Sequence, residues 1–258
     1  MIKLSVVIIT KNEELKIGSC LKSLLGLADE FIIVDDLSSD KTVEICKEFG
    51  AKIISSKSNG EFDKQRNIGI ENANGEWILQ LDADEIIPSE SISKIRSAIS
   101  EPKGFVGFEI RRKNFFLGKP ILHSGNYGYT LKIFKKGAGY YIEKVHEKLK
   151  ISGKIGKIDA DINHYPFNSI FEVFERANFY TDIESAVFLK GIEKITEQRI
   201  KYELTIKSLR RFWKLYVKKQ GYKDGMNGFI WCILNVIGPQ MRWMKIWEQV
   251  EKKSRSIK

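Results

Sequence analysis

The chain has 258 residues, of which 43% are hydrophobic and 29% charged, and a formal net charge of +10. That length suits one α/β domain with a substantial core plus an appendage, and the composition excludes fibrous, low-complexity and disulfide-framework classes. Cys20, Cys46 and Cys232 have neither zinc-knuckle nor disulfide spacing, which suits a reducing compartment, and Cys20 and Cys46, in helical patterns, read as small buried groups.

The first apolar run, Leu4–Ile9, is too short for a secretory signal and reads as a buried strand. Residues 13–25 have helical spacing through Leu15, Ile17, Leu21, Leu24 and Leu25. Phe31–Val34 is a second strand, and Asp40 can cap a helix that Gly50 stops. Lys52–Ile54 reads as a third strand, 61–73 as a helix, Trp77–Leu81 as a fourth strand, and Pro88 opens a helix to about Ile99. This alternation predicts an open, mostly parallel sheet flanked by helices, with ligands bound beyond the carboxyl ends of its strands.

From Phe105 the pattern changes to short strands at 105–112, 130–134, 140–142, 148–151 and 158–162, a small antiparallel extension. Ser169 and Glu172 make a capping box that opens a helix to about Leu189. A second helix is expected over 193–220, and weaker ones around 226–236 and 240–253. The expected division is therefore 1–165, an α/β domain, and 166–258, a helical appendage.

Charge follows that division. Residues 191–258 hold 16 Lys/Arg against 6 Asp/Glu, which is the whole excess, together with Trp213, Trp231, Trp243 and Trp247. Basic residues interleaved with Trp suit an anionic membrane surface. The longest apolar stretch, Gly228–Gly238, is interrupted by Asn235 and too short to span a bilayer. Peripheral docking is thus one expectation, and a helical cover that packs its Trp side chains inward is the other. A nucleic-acid footprint is a further alternative, but the first 190 residues carry no net charge.

The predicted strand ends deliver polar groups to one rim: Thr10, Asn12 and Glu13 after the first, Asp35 and Asp36 after the second, Asp82, Asp84 and Glu85 after the fourth. Asp82-x-Asp84 is the sharpest signal. Two such carboxylates can approach one hard cation, Mg²⁺ or Mn²⁺, which completes its shell with water and substrate phosphate. An isolated pair of this kind is more often a solvated acidic turn, but its place after a buried strand favours the metal. Asp36 is a candidate acceptor of hydrogen bonds from a base or ribose, as are Asn12 and Glu13, although Asn12 could instead cap the first helix. Lys64, Arg66 and Asn67 could hold a diphosphate or form a surface helix face. His164 is expected to satisfy a buried hydrogen bond. A metal-dependent nucleotidyltransferase would use similar carboxylates, but the Gly-rich basic triphosphate loop it usually needs is not evident.

Ser5–Glu14, Ile33–Thr42, Lys64–Gly69, Gly75–Ile78 and Leu81–Glu85 together resemble family 2 glycosyltransferases of the GT-A fold. Gly118-Lys119, Leu131–Phe134, Val145-His146-Glu147, Asn163–Tyr165, Tyr216, Gly221, Asp224-Gly225 and Gly228 resemble lipopolysaccharide-core glycosyltransferases of the heptose-modifying glucosyltransferase type. The resemblance implies inverting transfer of a hexose such as glucose from a nucleoside-diphosphate sugar, commonly a UDP-sugar, to a lipid-linked or glycan acceptor at the cytoplasmic membrane face. It implies Asp84 as the direct metal ligand, Asp82 on ribose or metal-bound water, and Asp36 near the nucleobase. Glu147 is then the first candidate base, Glu85 the second, and His146 a further metal ligand or a group that orients Glu147. The chain departs from the subgroup at Gly125–Tyr129, where a Trp-Tyr-Pro-Asp-like segment is expected, and at Lys132, where Arg is common.

Overall fold

The structure, a computed structural model, describes residues 3–125, 127–142, 148–190 and 195–256, with side chains as far as Lys252. Two compact units emerge: 1–113 with 128–164, and 114–127 with 165–258.

The first unit is built on strands β1 (Leu4–Thr10), β2 (Glu30–Asp35), β3 (Lys52–Ser55) and β4 (Trp77–Asp82). They pair in parallel in the order β3-β2-β1-β4. Their β-branched runs are continuous because both faces are covered. Val6, Ile8, Ile33, Trp77, Leu79 and Leu81 enter the larger core on one face. Val7, Ile32 and Ile78 point the other way, into a second core with Ile70 and Phe134. The helices between them are α1 (Ile17–Ser23), α2 (Thr42–Glu48), α3 (Phe62–Asn72) and α4 (Ser89–Ser100).

The strands expected as an antiparallel extension continue this sheet. Beyond β4 the order is β8 (Gly128–Lys135), β6 (Gly107–Phe116), β11 (Ile155–Phe167) and β5 (Glu85–Ile86). β8 runs antiparallel to β4, Leu79 facing Ile133, and β6 antiparallel to β8. Only β9 (Gly139–Ile142) and β10 (Lys148–Ile151) form a small sheet of their own. The sheet reverses direction of growth between β1 and β4, so their adjacent carboxyl ends are the place for a ligand.

The first helix is shorter than its apolar spacing predicts. The N–H groups of Glu13 and Glu14 donate to Thr42 Oγ1 (2.7 Å) and Asp40 Oδ2 (3.1 Å) on the next loop rather than entering a helix. Leu15, expected on the apolar face, is 84% exposed as a result.

In the second unit, the last residues of β6 form a hairpin with β7 (Lys119–Ile121). The remaining elements are α5 (Ile170–Lys190), α6 (Glu197–Leu204), α7 (Ile206–Trp213) and α8 (Gly225–Ser256). The capping box forms, with Glu172 N–H on Ser169 Oγ at 3.2 Å, and the Glu172 carboxylate accepts the Asn168 N–H at 2.9 Å. The single helix expected up to Gln220 is broken at Thr205, whose hydroxyl bonds back to the Lys201 carbonyl, and ends in a wide turn over Lys214–Lys218. The two weak helices fuse into α8 with Pro239 inside it. Proline there removes one helical hydrogen bond, and packing of Trp231, Trp243 and Ile246 holds both flanks. No helix among the described residues is long and apolar enough to cross a membrane.

Candidate active site

β1 and β4 lie side by side with Ile9 opposite Asp82, so the loops after Thr10 and Asp82 begin together. The β4 loop carries a dense charge cluster. Arg66 Nη2 from α3 donates to Asp82 Oδ1 at 2.9 Å. Lys132 Nζ, from β8, lies 3.3 Å from Asp82 Oδ2 and 2.7 Å from Glu85 Oε2. Glu85 Oε2 also accepts the Asp82 N–H at 3.0 Å, and Arg112 Nη1 stands 3.8 Å from its other oxygen. Two carboxylates and three cations therefore share one cluster. Glu85 and Lys132 are buried within it, and Asp82 keeps 29% of its side chain exposed.

The electrostatics follow from that arrangement. Burial pushes the Asp82 carboxyl up, but Lys132, Arg66 and, more weakly, His164 outweigh it and hold Asp82 well below the usual carboxylate range. Lys132 is raised, because the attraction of Asp82 and Glu85 exceeds the effect of its burial. Both groups are charged near neutrality. Beneath them lies the Cys20 thiol, 3.7 Å from the Asp82 carbonyl; burial and the nearby carboxylates push it well above its ordinary value, which leaves it inert.

Asp84 occupies the turn between β4 and β5 and is buried, with His164 Nε2 3.4 Å from its Oδ1. β11 brings His164 there by pairing it directly with Glu85. A histidine expected only to satisfy a core hydrogen bond is thus set by sheet register beside the aspartate pair. Among the described residues, no group of three or more His, Cys, Asp or Glu side chains has the geometry to enclose a metal ion. The donors present, Asp84 with Asp82 adjacent, fit a magnesium-like ion, which takes one or two carboxylates and leaves the rest of its shell to water and substrate phosphates.

The other expected residues divide clearly. Asp36 is buried and accepts Ser58 N–H and Oγ–H, both at 2.8 Å, and Lys11 Nζ at 3.2 Å. Burial would raise its pKa, but these donors outweigh that and lower it. Asp36 thus ties the loop after β3 to the rim. Thr10 accepts the Asp36 N–H on its carbonyl at 2.9 Å, while its buried Oγ1 has no hydrogen-bond partner among the described residues. Asn12 does not cap α1. Its backbone is left-handed (φ 53°), its N–H donates to Ser38 Oγ at 2.9 Å, and its Oδ1 accepts the Ser39 N–H at 2.8 Å, so it staples the first two loops. Glu13 is on the same rim, 3.9 Å from Lys16.

Of Lys64, Arg66 and Asn67, only Arg66 joins the cluster, and its guanidinium also lies 5.3 Å over the Tyr141 ring. Lys64 is exposed and pairs with Glu61. Asn67 is used structurally, exchanging hydrogen bonds of 2.9 and 2.8 Å with the Tyr141 backbone. His146 and Glu147 lie outside the described residues. Lys132 and Arg112 are the cluster members that motif reading does not assign to the site. Two signals pointed to Lys132: it stands where Arg is common in the resembling family, and it interrupts an otherwise apolar strand run.

Residues 5–156 match the family described as glycosyl transferase family 2. An uncharacterised glycosyltransferase of Rickettsia typhi is 26% identical over 270 residues, spanning 100% of this chain and 90% of that protein. The lipopolysaccharide core biosynthesis glycosyltransferase LpsC of Rhizobium meliloti is 24% identical over 269 residues, spanning 98% and 94%. The crystal structure of S. aureus TarS 1–349 in complex with UDP-GlcNAc has a TM-score of 0.51 at 17% identity, covering 97% of this chain and 92% of that one. That likeness is one of fold, the GT-A arrangement that the family 2 resemblance implies. With more than half of its residues matched to the family, this chain belongs to glycosyl transferase family 2.

Proposed function

We propose that the chain is a metal-dependent inverting glycosyltransferase. It moves a sugar, a hexose such as glucose, from a nucleoside-diphosphate sugar, with UDP as the first nucleotide to test, to a hydroxyl of a lipopolysaccharide-core or other cell-envelope glycan. The observation that carries this reading is the placement of Asp82 and Asp84 at the carboxyl end of β4, flanked by Arg66 and Lys132, at the sheet's switch point in a family 2 chain. The acceptor class rests on the likeness to LpsC, which spans nearly the whole of both chains.

In this reading Asp84 would hold a Mg²⁺ or Mn²⁺ ion, with Asp82 adjacent and His146 as a further ligand. Bound there, the cation would offset the charge that develops on the departing diphosphate. Arg66 sits where its guanidinium can meet a phosphate oxygen while Asp82 fixes its fork. Thr10, Asn12, Glu13 and Asp36 line the nucleoside end, with Asn12 and Asp36 acting mainly by holding their loops in place. Lys64 contributes at the margin of the diphosphate side, and Asn67 acts there by holding the Tyr141 backbone in place.

The acceptor hydroxyl forms its bond to the anomeric carbon opposite the leaving nucleoside diphosphate, so configuration inverts. Glu147 takes the hydroxyl proton as that bond forms. Glu85 is the second candidate base. It is buried against Lys132 and the Asp82 N–H, which suits it to positioning the aspartate turn. The acceptor places the chain at the inner face of the cytoplasmic membrane, as a peripheral protein.

Calorimetric titration with UDP, with and without Mn²⁺, tests the nucleotide site. Binding that needs the metal and is lost in Asp84→Ala is expected. UDP binding unaffected by either change would overturn the metal role. If UDP does not bind, GDP, CMP and dTDP follow, and failure of all four would overturn the transferase reading.

A further inference from the structure

The four C-terminal tryptophans do not share one role. Trp231 and Trp243 are buried in the second unit and Trp247 packs against the latter's cluster. Trp213, at the end of α7, is 56% exposed. With it, on one side of the helix, stand Leu209 (68% exposed) and Ile206 (46%). Spacings of three and four residues put these side chains on one stripe. Ser208 faces inward, so the stripe is not the face that packs on the unit. From Ile206 to Lys219 the chain carries six cations, Lys207, Arg210, Arg211, Lys214, Lys218 and Lys219, and no carboxylate. Lys207 pairs with Glu203 at 2.7 Å. Arg210, Arg211, Lys214 and Lys218 make no ion pair with the described residues.

We infer that α7 and the basic turn after it dock this protein in the plane of an anionic phospholipid bilayer. Leu209, Trp213 and Ile206 enter the headgroup–acyl boundary, and the neighbouring cations meet lipid phosphates. This deepens the proposed placement at the membrane face, on which it rests, by naming the element responsible. The pairing of features selects the partner. An amphipathic helix with an aromatic and aliphatic stripe beside unpaired cations has the composition of an interfacial helix. A nucleic acid would use the cations but leave the aliphatic stripe in water. A cavity of about 390 Å³ lined by Leu209, Phe212, Ser208, Leu204, Ile233 and Ile237 adds apolar room beside the stripe.

The experiment is sedimentation of the full chain with vesicles of phosphatidylcholine alone or with about one-third phosphatidylglycerol, a surface that attracts juxtamembrane cations. Binding to the anionic vesicles, weak binding to the neutral ones, and a blue shift of tryptophan emission on binding are expected. Leu209→Ser should lower the partition coefficient about tenfold, the cost of withdrawing one buried leucine. Arg210→Gln with Lys214→Gln should lower it by about 25-fold, each cation accounting for about fivefold. Trp213→Phe should abolish most of the blue shift. Phe171→Ser, an exposed change on α5, should leave partitioning unchanged, and UDP titration of each variant shows that its first unit is intact.

The outcomes separate cleanly. If the wild type binds neither vesicle, or both equally, the membrane placement fails and this inference with it. If it binds anionic vesicles but the α7 variants bind as well as the wild type, the placement stands and the role of α7 is overturned. Binding of an oligonucleotide that excludes vesicle binding also overturns it. None of these results bears on sugar transfer, which the UDP titration tests on its own.

Discussion

Lys132→Met replaces the buried ammonium that bridges Asp82 and Glu85 with an uncharged side chain of similar length. The contacts at 3.3 and 2.7 Å are each worth roughly 5–6 kcal/mol of attraction at an effective dielectric of about 20, before desolvation. Most of that is offset by the cost of burying Lys132. What the variant suffers is the residue of buried negative charge: among the described residues the cation left to Glu85 is Arg112, at 3.8 Å, beside the Asp82 N–H, and Asp82 keeps Arg66. Breaking a buried pair in this way costs about 3–5 kcal/mol. Urea unfolding near pH 7, followed by far-UV circular dichroism and tryptophan emission, should register that loss.

The pH dependence gives a second handle. Asp82 is depressed in the fold, so its stabilising contribution is present above its unfolded value of about 3.9 and fades as pH falls through the lower folded value. Lys132 is raised, so its contribution holds below its unfolded value of about 10.4 and fades as pH rises through the higher folded one. The gap between wild type and Lys132→Met should therefore be widest between about pH 4 and pH 10 and narrow on either side. Adding Glu85→Gln to the variant should recover part of the loss, because the uncompensated carboxylate is gone. A loss under about 1 kcal/mol near neutrality, or one that does not narrow on acidification, would refute the argument.

Two further expectations follow from packing and burial. A Cβ on Gly69 would collide with Val7 Cγ1 and crowd Val34 where α3 crosses the sheet, so Gly69→Ala should destabilise by about 1–3 kcal/mol on urea unfolding; a neutral or stabilising effect would show that the crossing has room for a methyl group. Burial pushes Cys46 up to about 12 and Cys232 up to about 11, and Cys20 well above its ordinary value. All three thiols should resist a chromogenic disulfide near pH 8 in the native protein and react once it is unfolded in urea, and rapid native reaction of any one would contradict its burial.

Much of the first unit was legible because local chemistry and tertiary context agree there. Strands covered on both faces need unbroken β-branched runs, and β1, β2 and β4 have them. Carboxylates cannot be buried inside such strands unpaired, so they collect where the strands end, and Asp36, Asp82 and Asp84 mark the rim by their position in the chain alone. Residue type could not divide their labour. Asn12, Asp36 and Asn67 have the right chemistry to bind a ligand, yet each is engaged by a neighbouring loop or strand. Those partners are 22 to 74 residues away, beyond any local signal.

In the second unit the sequence showed helices, charge and tryptophan but not their grouping. Thr205 breaks a helix that apolar periodicity continues, and Pro239 fails to break one that propensity would stop. At Thr205 the side chain competes for the Lys201 carbonyl, a choice that periodicity does not register, and at Pro239 the packing of both flanks lies outside the local window. By itself, then, the sequence determined the parallel strands, the acidic rim and the location of the excess positive charge, because periodicity, burial cost and turn chemistry act over a few residues. Only the tertiary structure decided that β8 lies antiparallel against β4, and with it that Lys132 enters the core to neutralise Asp82 and Glu85, and that of four tryptophans Trp213 alone faces outward. Strand order and helix grouping bring together residues far apart in the chain, and it is their mutual burial that selects the arrangement.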